Sequence, residues 1–112
     1  MIVTAWTNGS KAFGVKVSMP DRERFFSRQW STVTLELEGY STEVEVNVGK
    51  KSFWNPRCGE LIHREIGQWL RANRLAPWPY GKPPKLVLEP VQGARFRLRK
   101  PSSQPTGQTA AP

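Results

Sequence analysis

The sequence predicts an α+β protein that is mainly β: an antiparallel, barrel-like sheet of about six or seven strands, with two short helices at its rims. Three observations carry that expectation. Six stretches alternate apolar and polar residues with the period of a half-buried strand. Two others space their apolar residues at helical intervals. Their order is two strands, helix, two strands, helix, two strands, which suits a sheet whose openings are covered by helices.

The chain opens with "IVTAWTNGSKAFGVKVS". Ile2, Thr4 and Trp6 alternate with Val3 and Ala5, and Phe13, Val15 and Val17 alternate with Gly14, Lys16 and Ser18. Asn8-Gly9 between them supplies the positive φ of a turn, so the segment predicts a hairpin. In "SMPDRERFFSRQW", Ser18 can cap a helix, Pro20 suits its first turn, and Asp21 meets its positive end. Met19, Phe26 and Trp30 define the apolar face, leaving Arg22, Arg24 and Arg28 mostly on the wet side.

"STVTLELEGYSTEVEVNV" is the cleanest pattern in the chain. Val33, Leu35, Leu37, Val44, Val46 and Val48 point one way, while Glu36, Glu38, Glu43 and Glu45 point the other. That predicts a hairpin with an acidic wet face. In "ELIHREIGQWLRANRL", Ile62, Ile66, Trp69 and Leu70 share a narrow helical arc. Asn55-Pro56 offers an earlier start for this helix, which would set Cys58 over Ile62. The Pro-rich "APWPYGKPP" ends the helix. "KLVLEPV" and "ARFRLRK" close the domain as two strands, with Phe96 and Leu98 inward and Arg95, Arg97 and Arg99 outward. A single domain over residues 1–100 is expected, followed by a disordered tail at 101–112.

The 112 residues carry 17 basic and 9 acidic side chains, a formal net charge of +8. Such a balance favours polyanions through counterion release. The lone Cys58 cannot close an intramolecular disulfide, and no apolar run approaches the length of a bilayer span. A soluble, cytoplasmic protein is therefore expected, with no membrane partner. Cys58 and His63 do not converge as a catalytic pair on the expected helix, and one Cys with one His cannot build a structural zinc site. No metal, no cofactor and no enzymatic activity are expected.

Charge placement narrows the candidate site. The acidic hairpin concentrates four glutamates and no cation over residues 33–48. Arg95, Arg97 and Arg99 admit two explanations: cross-strand ion pairs with that hairpin, or a phosphate track. Relief of glutamate repulsion favours the pairs. Cations in loops remain: Lys11 near the Asn-Gly turn, Lys50, Lys51 and Arg57 in "GKKSFWNPRCGE", and Lys82 and Lys85 around the Pro-rich loop. Trp54, Trp78 and Tyr80 are interleaved with them, as where aromatic faces meet bases. The same tryptophans also fit lids packed on the core. In "GKKSFWNPRCGE", Phe53, Cys58 and Trp54 read as the inner side and Lys50, Lys51 and Arg57 as the outer.

The layout resembles the DNA-binding pseudobarrel family of plant auxin-response and abscisic-acid-response transcription factors and of restriction-endonuclease recognition domains. "IVTAWT", "NGSKA", "FGVKVSMP" and "DRERFF" follow the family's course of strand, loop, strand and short helix. "TVTLELEG", "TEVEVNV", "GKKSFWNPRCG", "IGQWLRANRL", "KLVLEPV" and "RFRL" continue it, so the likeness spans residues 2–99 in element order. The resemblance implies binding to double-stranded DNA with two loops as arms. One would be Thr7 to Ala12, with Asn8, Ser10 and Lys11. The other would hold Lys50, Lys51, Ser52, Trp54, Asn55 and Arg57. Asn and Arg read base edges and lysines neutralise phosphates. Two alternatives stand beside this one: a protein–protein interaction module using the proline loop and exposed aromatics, and a small basic ribonuclease-like enzyme.

Overall fold

The computed structural model describes residues 1–9 and 11–101. Ser10 lies outside them, as does the expected disordered tail apart from the exposed Pro101. The elements are β1 (Ile2–Thr7), β2 (Phe13–Lys16), α1 (Met19–Phe25), β3 (Thr32–Leu37), β4 (Glu43–Asn47), α2 (Lys51–Trp54), β5 (Glu60–Ile62), α3 (Arg64–Ala72), β6 (Lys85–Gln92) and β7 (Arg95–Arg99). One seven-stranded sheet runs in the order β4-β3-β7-β6-β1-β2-β5, and the edge strands β4 and β5 approach each other to make it nearly a barrel.

Three features depart from the expectation. The sheet is mixed, because β3 pairs with β7 in parallel, with Leu35 opposite Phe96 and Leu37 opposite Leu98. Alternation fixes which residues face inward but not which strand lies alongside. Among the described residues there are three helices, because α2 forms one short turn inside the β4–β5 connection. The long helix starts at Arg64, not at Asn55 or Glu60. Gly59 at φ +95° redirects the chain, and residues 60–62 then pair with β2, Gly14 facing Ile62 and Lys16 facing Glu60. Ile62 stands four residues before Ile66, so it fits helical spacing while lying on a strand. Cys58 is consequently half-buried in a turn and not on a helix face.

The capping expectation for α1 holds, with Ser18 Oγ accepting from the Asp21 amide at 3.4 Å. The helix ends earlier than its pattern suggested: Phe26 is its C-cap, and a turn brings Trp30 back onto the core. His63 caps α3, its Nδ1 accepting from the Glu65 amide at 3.0 Å. Gly67 lets α3 press on β2, because a Cβ there would sit 3.1 Å from the Phe13 Cβ.

Inside, Phe26 stacks on Phe96 with centroids 4.6 Å apart, and Phe53 leans on Phe26 at 5.2 Å. Trp69, fully buried, donates its indole N–H to the Glu38 carbonyl at 2.8 Å and so ties α3 to the end of β3. Each such buried side chain contributes about 1.5–3 kcal/mol by apolar burial.

Strand directions give the barrel two ends. β2 starts at the β1–β2 turn, with Phe13 facing Thr7, and runs toward α1. β5 is antiparallel to β2, so the β4–β5 connection arrives beside Lys16, at the α1 end. β6 is antiparallel to β1, with Lys85 facing Thr4 and the Ala5 amide donating to the Pro84 carbonyl. The chain leading into β6 therefore comes from the turn end.

Candidate nucleic-acid interface

The α1 end is organised by a buried cation. Arg22, expected on the wet side of α1, is 1% exposed. Its Nη1 donates to the Asn55 carbonyl at 3.0 Å and also to the Phe53 carbonyl. Cζ lies 5.8 Å from the Phe53 ring centroid. Arg22 stands four residues before Phe26, on the same helical face, a position that its charge outweighed in the sequence. Burial lowers the Arg22 pKa, and the negative field of Glu60 works against that shift. Nε, also buried, meets no hydrogen-bond acceptor among the described residues.

Because Arg22 holds the backbone of α2 and the turn after it from inside, the polar side chains of this segment face out. Lys51, Ser52, Asn55 and Arg57 are exposed and Lys50 is half-buried at the N-cap of α2. Asn55 Oδ1 accepts from the Arg57 amide at 2.8 Å, so its carboxamide oxygen shapes the turn. The Arg57 carbonyl accepts from Lys16 Nζ at 3.0 Å, which adds a cation that sequence reasoning missed. Lys16 was legible only as an outward position on β2. Arg24 and Arg28 are exposed on α1 and just beyond it. Trp54 is half-buried, with its ring against Phe53 at 87° and the Arg28 guanidinium 4.2 Å from its centroid. Arg28 also pairs with Glu23 at 2.8 Å.

The other expected residues lie away from the β4–β5 connection. Asn8 Oδ1 accepts from the Ala12 amide at 3.0 Å, closing the β1–β2 turn, and Lys11 is exposed on it. Lys82 and Lys85 are exposed. Trp78 is half-buried with its ring edge-on to Phe13 at 6.0 Å, and Arg71 covers Phe13 at 4.6 Å. Tyr80 is fully exposed. The structure thus gathers Lys50, Lys51, Ser52, Trp54, Asn55 and Arg57 into one surface. It places Asn8 and Lys11 at the opposite end of β2, and sets Lys85 level with Lys16, both opposite Thr4.

Between these ends the outer face of the sheet is a charge ladder. Arg95 pairs with Glu36 at 3.3 Å and with Glu43. Arg97 pairs with Glu36 at 2.9 Å and reaches Glu89 at 3.7 Å, and Arg99 pairs with Glu89 at 2.6 Å. The ion-pair explanation of these arginines is the one the structure shows. A hydrogen bond from Arg97 above all, joined by one from Arg95, holds the Glu36 carboxylate below its ordinary pKa against the opposing effect of burial. The hydrogen bonds that Arg95 donates, to Glu43 first and then to Glu36, raise its own pKa. Three arginines and three glutamates cancel here, so the formal +8 belongs to the rest of the surface.

Among the described residues, no helix is long and apolar enough to cross a membrane, and no group of three or more His, Cys, Asp or Glu side chains gathers to hold a metal. No family model, curated protein or solved structure matches the chain.

Proposed function

We propose that this protein is a non-enzymatic, cytoplasmic double-stranded-DNA-binding domain that meets phosphate with the α1 end of its barrel. One observation carries the reading: a buried Arg22 braces the β4–β5 connection from within while Lys51 and Arg57 stand exposed on it. A cationic surface fixed before binding loses little conformational freedom on contact. Lys16, Arg24 and Lys50 extend it, and the ion-paired ladder keeps the sheet's own arginines and glutamates out of the contact.

In this reading lysines contact phosphates, while Arg57 and the Asn55 amide nitrogen face base edges. The test is fluorescence anisotropy with duplex DNA, single-stranded DNA and duplex RNA over a salt series. Duplex DNA should bind most tightly, with affinity falling steeply as salt rises. Absence of binding to all three at low salt would overturn the reading. A protein-interaction module is the second reading, favoured by the fully exposed Tyr80 within the Pro-rich loop. Affinity for such a partner through aromatic anchors would change little with salt.

A further inference from the structure

Four of the five tryptophans are held by the fold. Trp69 is buried and bonded to the Glu38 carbonyl, and Trp30 meets Phe26 and Phe96. Trp54 meets Phe53, and Trp78 meets Phe13. Trp6 is different. It alternates with buried Val3 and Ala5 along β1, so it stands half-buried on the outer face of the sheet. Among the described residues its indole meets no other ring, no cation and no hydrogen-bond acceptor, and it does not pack on the core.

The row beside Trp6 is cationic. Thr4 pairs with Lys85 of β6 on one side and with Lys16 of β2 on the other. All three face outward, because their neighbours Val3, Val15 and Leu86 are buried. The two lysines are exposed, and neither forms an ion pair among the described residues. Their backbones lie two interstrand spacings apart, about 9–10 Å. Trp6 is about 7 Å further along β1 than Thr4, and the residue opposite it, Gly14, has no side chain to cover an indole. Neighbouring carboxylates are engaged elsewhere. Glu89 pairs with Arg97 and Arg99, while Glu60, opposite Lys16 on β5, is buried, where its field acts on Arg22.

We infer that this outer face of β6, β1 and β2 binds single-stranded nucleic acid, with phosphates on Lys16 and Lys85 and a base stacked on Trp6. Lysines alone would serve a duplex equally well. The aromatic side chain decides between the two. Bases in a duplex stack on one another and offer a protein their edges, whereas an unpaired base is free to lie on an indole. Between the lysines, the Thr4 hydroxyl adds a neutral donor for a phosphate oxygen. The inference does not rest on the duplex-binding reading, although Lys16, whose Nζ donates to the Arg57 carbonyl, borders both surfaces.

The experiment is fluorescence anisotropy of the full chain with a labelled oligothymidylate of about 12 nucleotides, within the site size of one small barrel. An abasic strand of the same length and a duplex are measured beside it. The thymidylate should bind at least about fivefold more tightly than the abasic strand. Trp6→Leu alters no charge, so it should weaken thymidylate binding about tenfold and leave abasic-strand and duplex affinities within about twofold. Trp6→Phe, which keeps an aromatic face, should recover most of the loss. Lys85→Gln should weaken both single strands alike and lower their salt slope by about 0.7.

Equal affinity for thymidylate and abasic strands, or unchanged thymidylate binding in Trp6→Leu, would overturn the inference and leave duplex binding standing. Equal loss of duplex and thymidylate affinity in Trp6→Leu, with the circular dichroism of the parent chain, would overturn it as well. Should Trp6→Leu fail to fold, the abasic comparison on the parent chain and Lys85→Gln, an exposed substitution, decide the matter. Thymidylate binding without any duplex binding would remove the duplex reading alone.

Discussion

The Arg22 guanidinium occupies the space that a side chain at Gly59 would fill. A Cβ on Gly59 would lie 2.5 Å from the Arg22 Cζ and 2.8 Å from the Val17 carbonyl oxygen, and the residue sits at φ +95°. The absence of a side chain at 59 is what lets the guanidinium enter and still lets the Val17 amide donate to the Gly59 carbonyl at 2.9 Å. Gly59→Ala should therefore destabilise the protein by about 2–4 kcal/mol, adding left-handed strain to a clash. Chemical denaturation measures it. An effect no larger than that of an exposed alanine substitution would show that Arg22 can leave its seat.

Removing the guanidinium tests the same joint from the other side. Arg22→Met keeps much of the apolar stem but deprives the Phe53 carbonyl of its Arg22 hydrogen bond. The loss of that bond is set against relief from burying a charge, and the two effects nearly offset in many proteins. Global stability should change by less than about 2 kcal/mol. Amide hydrogen exchange should nonetheless accelerate at residues 53–58, while α3 keeps its protection. Uniform acceleration would mean that Arg22 stabilises the whole barrel and not the connection.

The ladder predicts a pH dependence with a definite sign. Arg97 and Arg95 depress the Glu36 pKa in the folded state. A carboxylate of this kind stabilises above its unfolded pKa, and that contribution is lost as pH falls through the folded one. Stability should decline as pH falls from the ordinary carboxylate range to below it. Glu36→Gln should flatten that limb and lower stability at neutral and alkaline pH by a constant amount, leaving the slope there unchanged. Denaturation midpoints over an acid pH series check it, and identical slopes in both proteins would remove Glu36 as the cause.

Particular residues explain what the sequence did and did not disclose. β3 and β4 were legible because Val33, Leu35, Leu37, Val44 and Val46 alternate with polar partners on strands whose outer face is wet. Strand β5 was hidden because Ile62 satisfies helical and extended spacing alike, and the deciding facts are the Gly59 turn and the open edge of β2. Arg22 was hidden because its charge argued for solvent, while its seat is built by Phe53, Asn55 and Gly59, more than 30 positions away. The loop cations were legible as charges. Where they come together follows from strand pairing and register, with Lys16 and Lys85 both opposite Thr4, which spacing does not encode.

Trp69 offers a test of how α3 is held at the turn end. Its ring is fully buried, and its indole N–H reaches the Glu38 carbonyl at 2.8 Å. Trp69→Phe keeps most of the apolar area but removes the donor and leaves space, so a destabilisation of about 2–3 kcal/mol is expected. Urea denaturation followed by far-UV circular dichroism measures it, and an unchanged midpoint would mean that the indole hydrogen bond and the space it fills contribute nothing.

The duplex-binding surface supplies the last prediction. Lys51 is exposed and Lys50 half-buried on a connection that Arg22 fixes, and neither is paired in an ion bridge among the described residues. If both meet phosphate, Lys50→Ala with Lys51→Ala should weaken binding to every duplex sequence alike. It should also lower the slope of log affinity against log salt by about two. Arg57→Ala should act differently. Without its base-edge hydrogen bonds, sequence preference should relax by about 1–3 kcal/mol at one base pair, while the salt slope changes little. Anisotropy with a small panel of duplexes at several salt concentrations separates the two behaviours. A lysine double variant with an unchanged salt slope would move the phosphate contacts off the β4–β5 connection and leave Lys16, Arg24 and Arg28 to account for them.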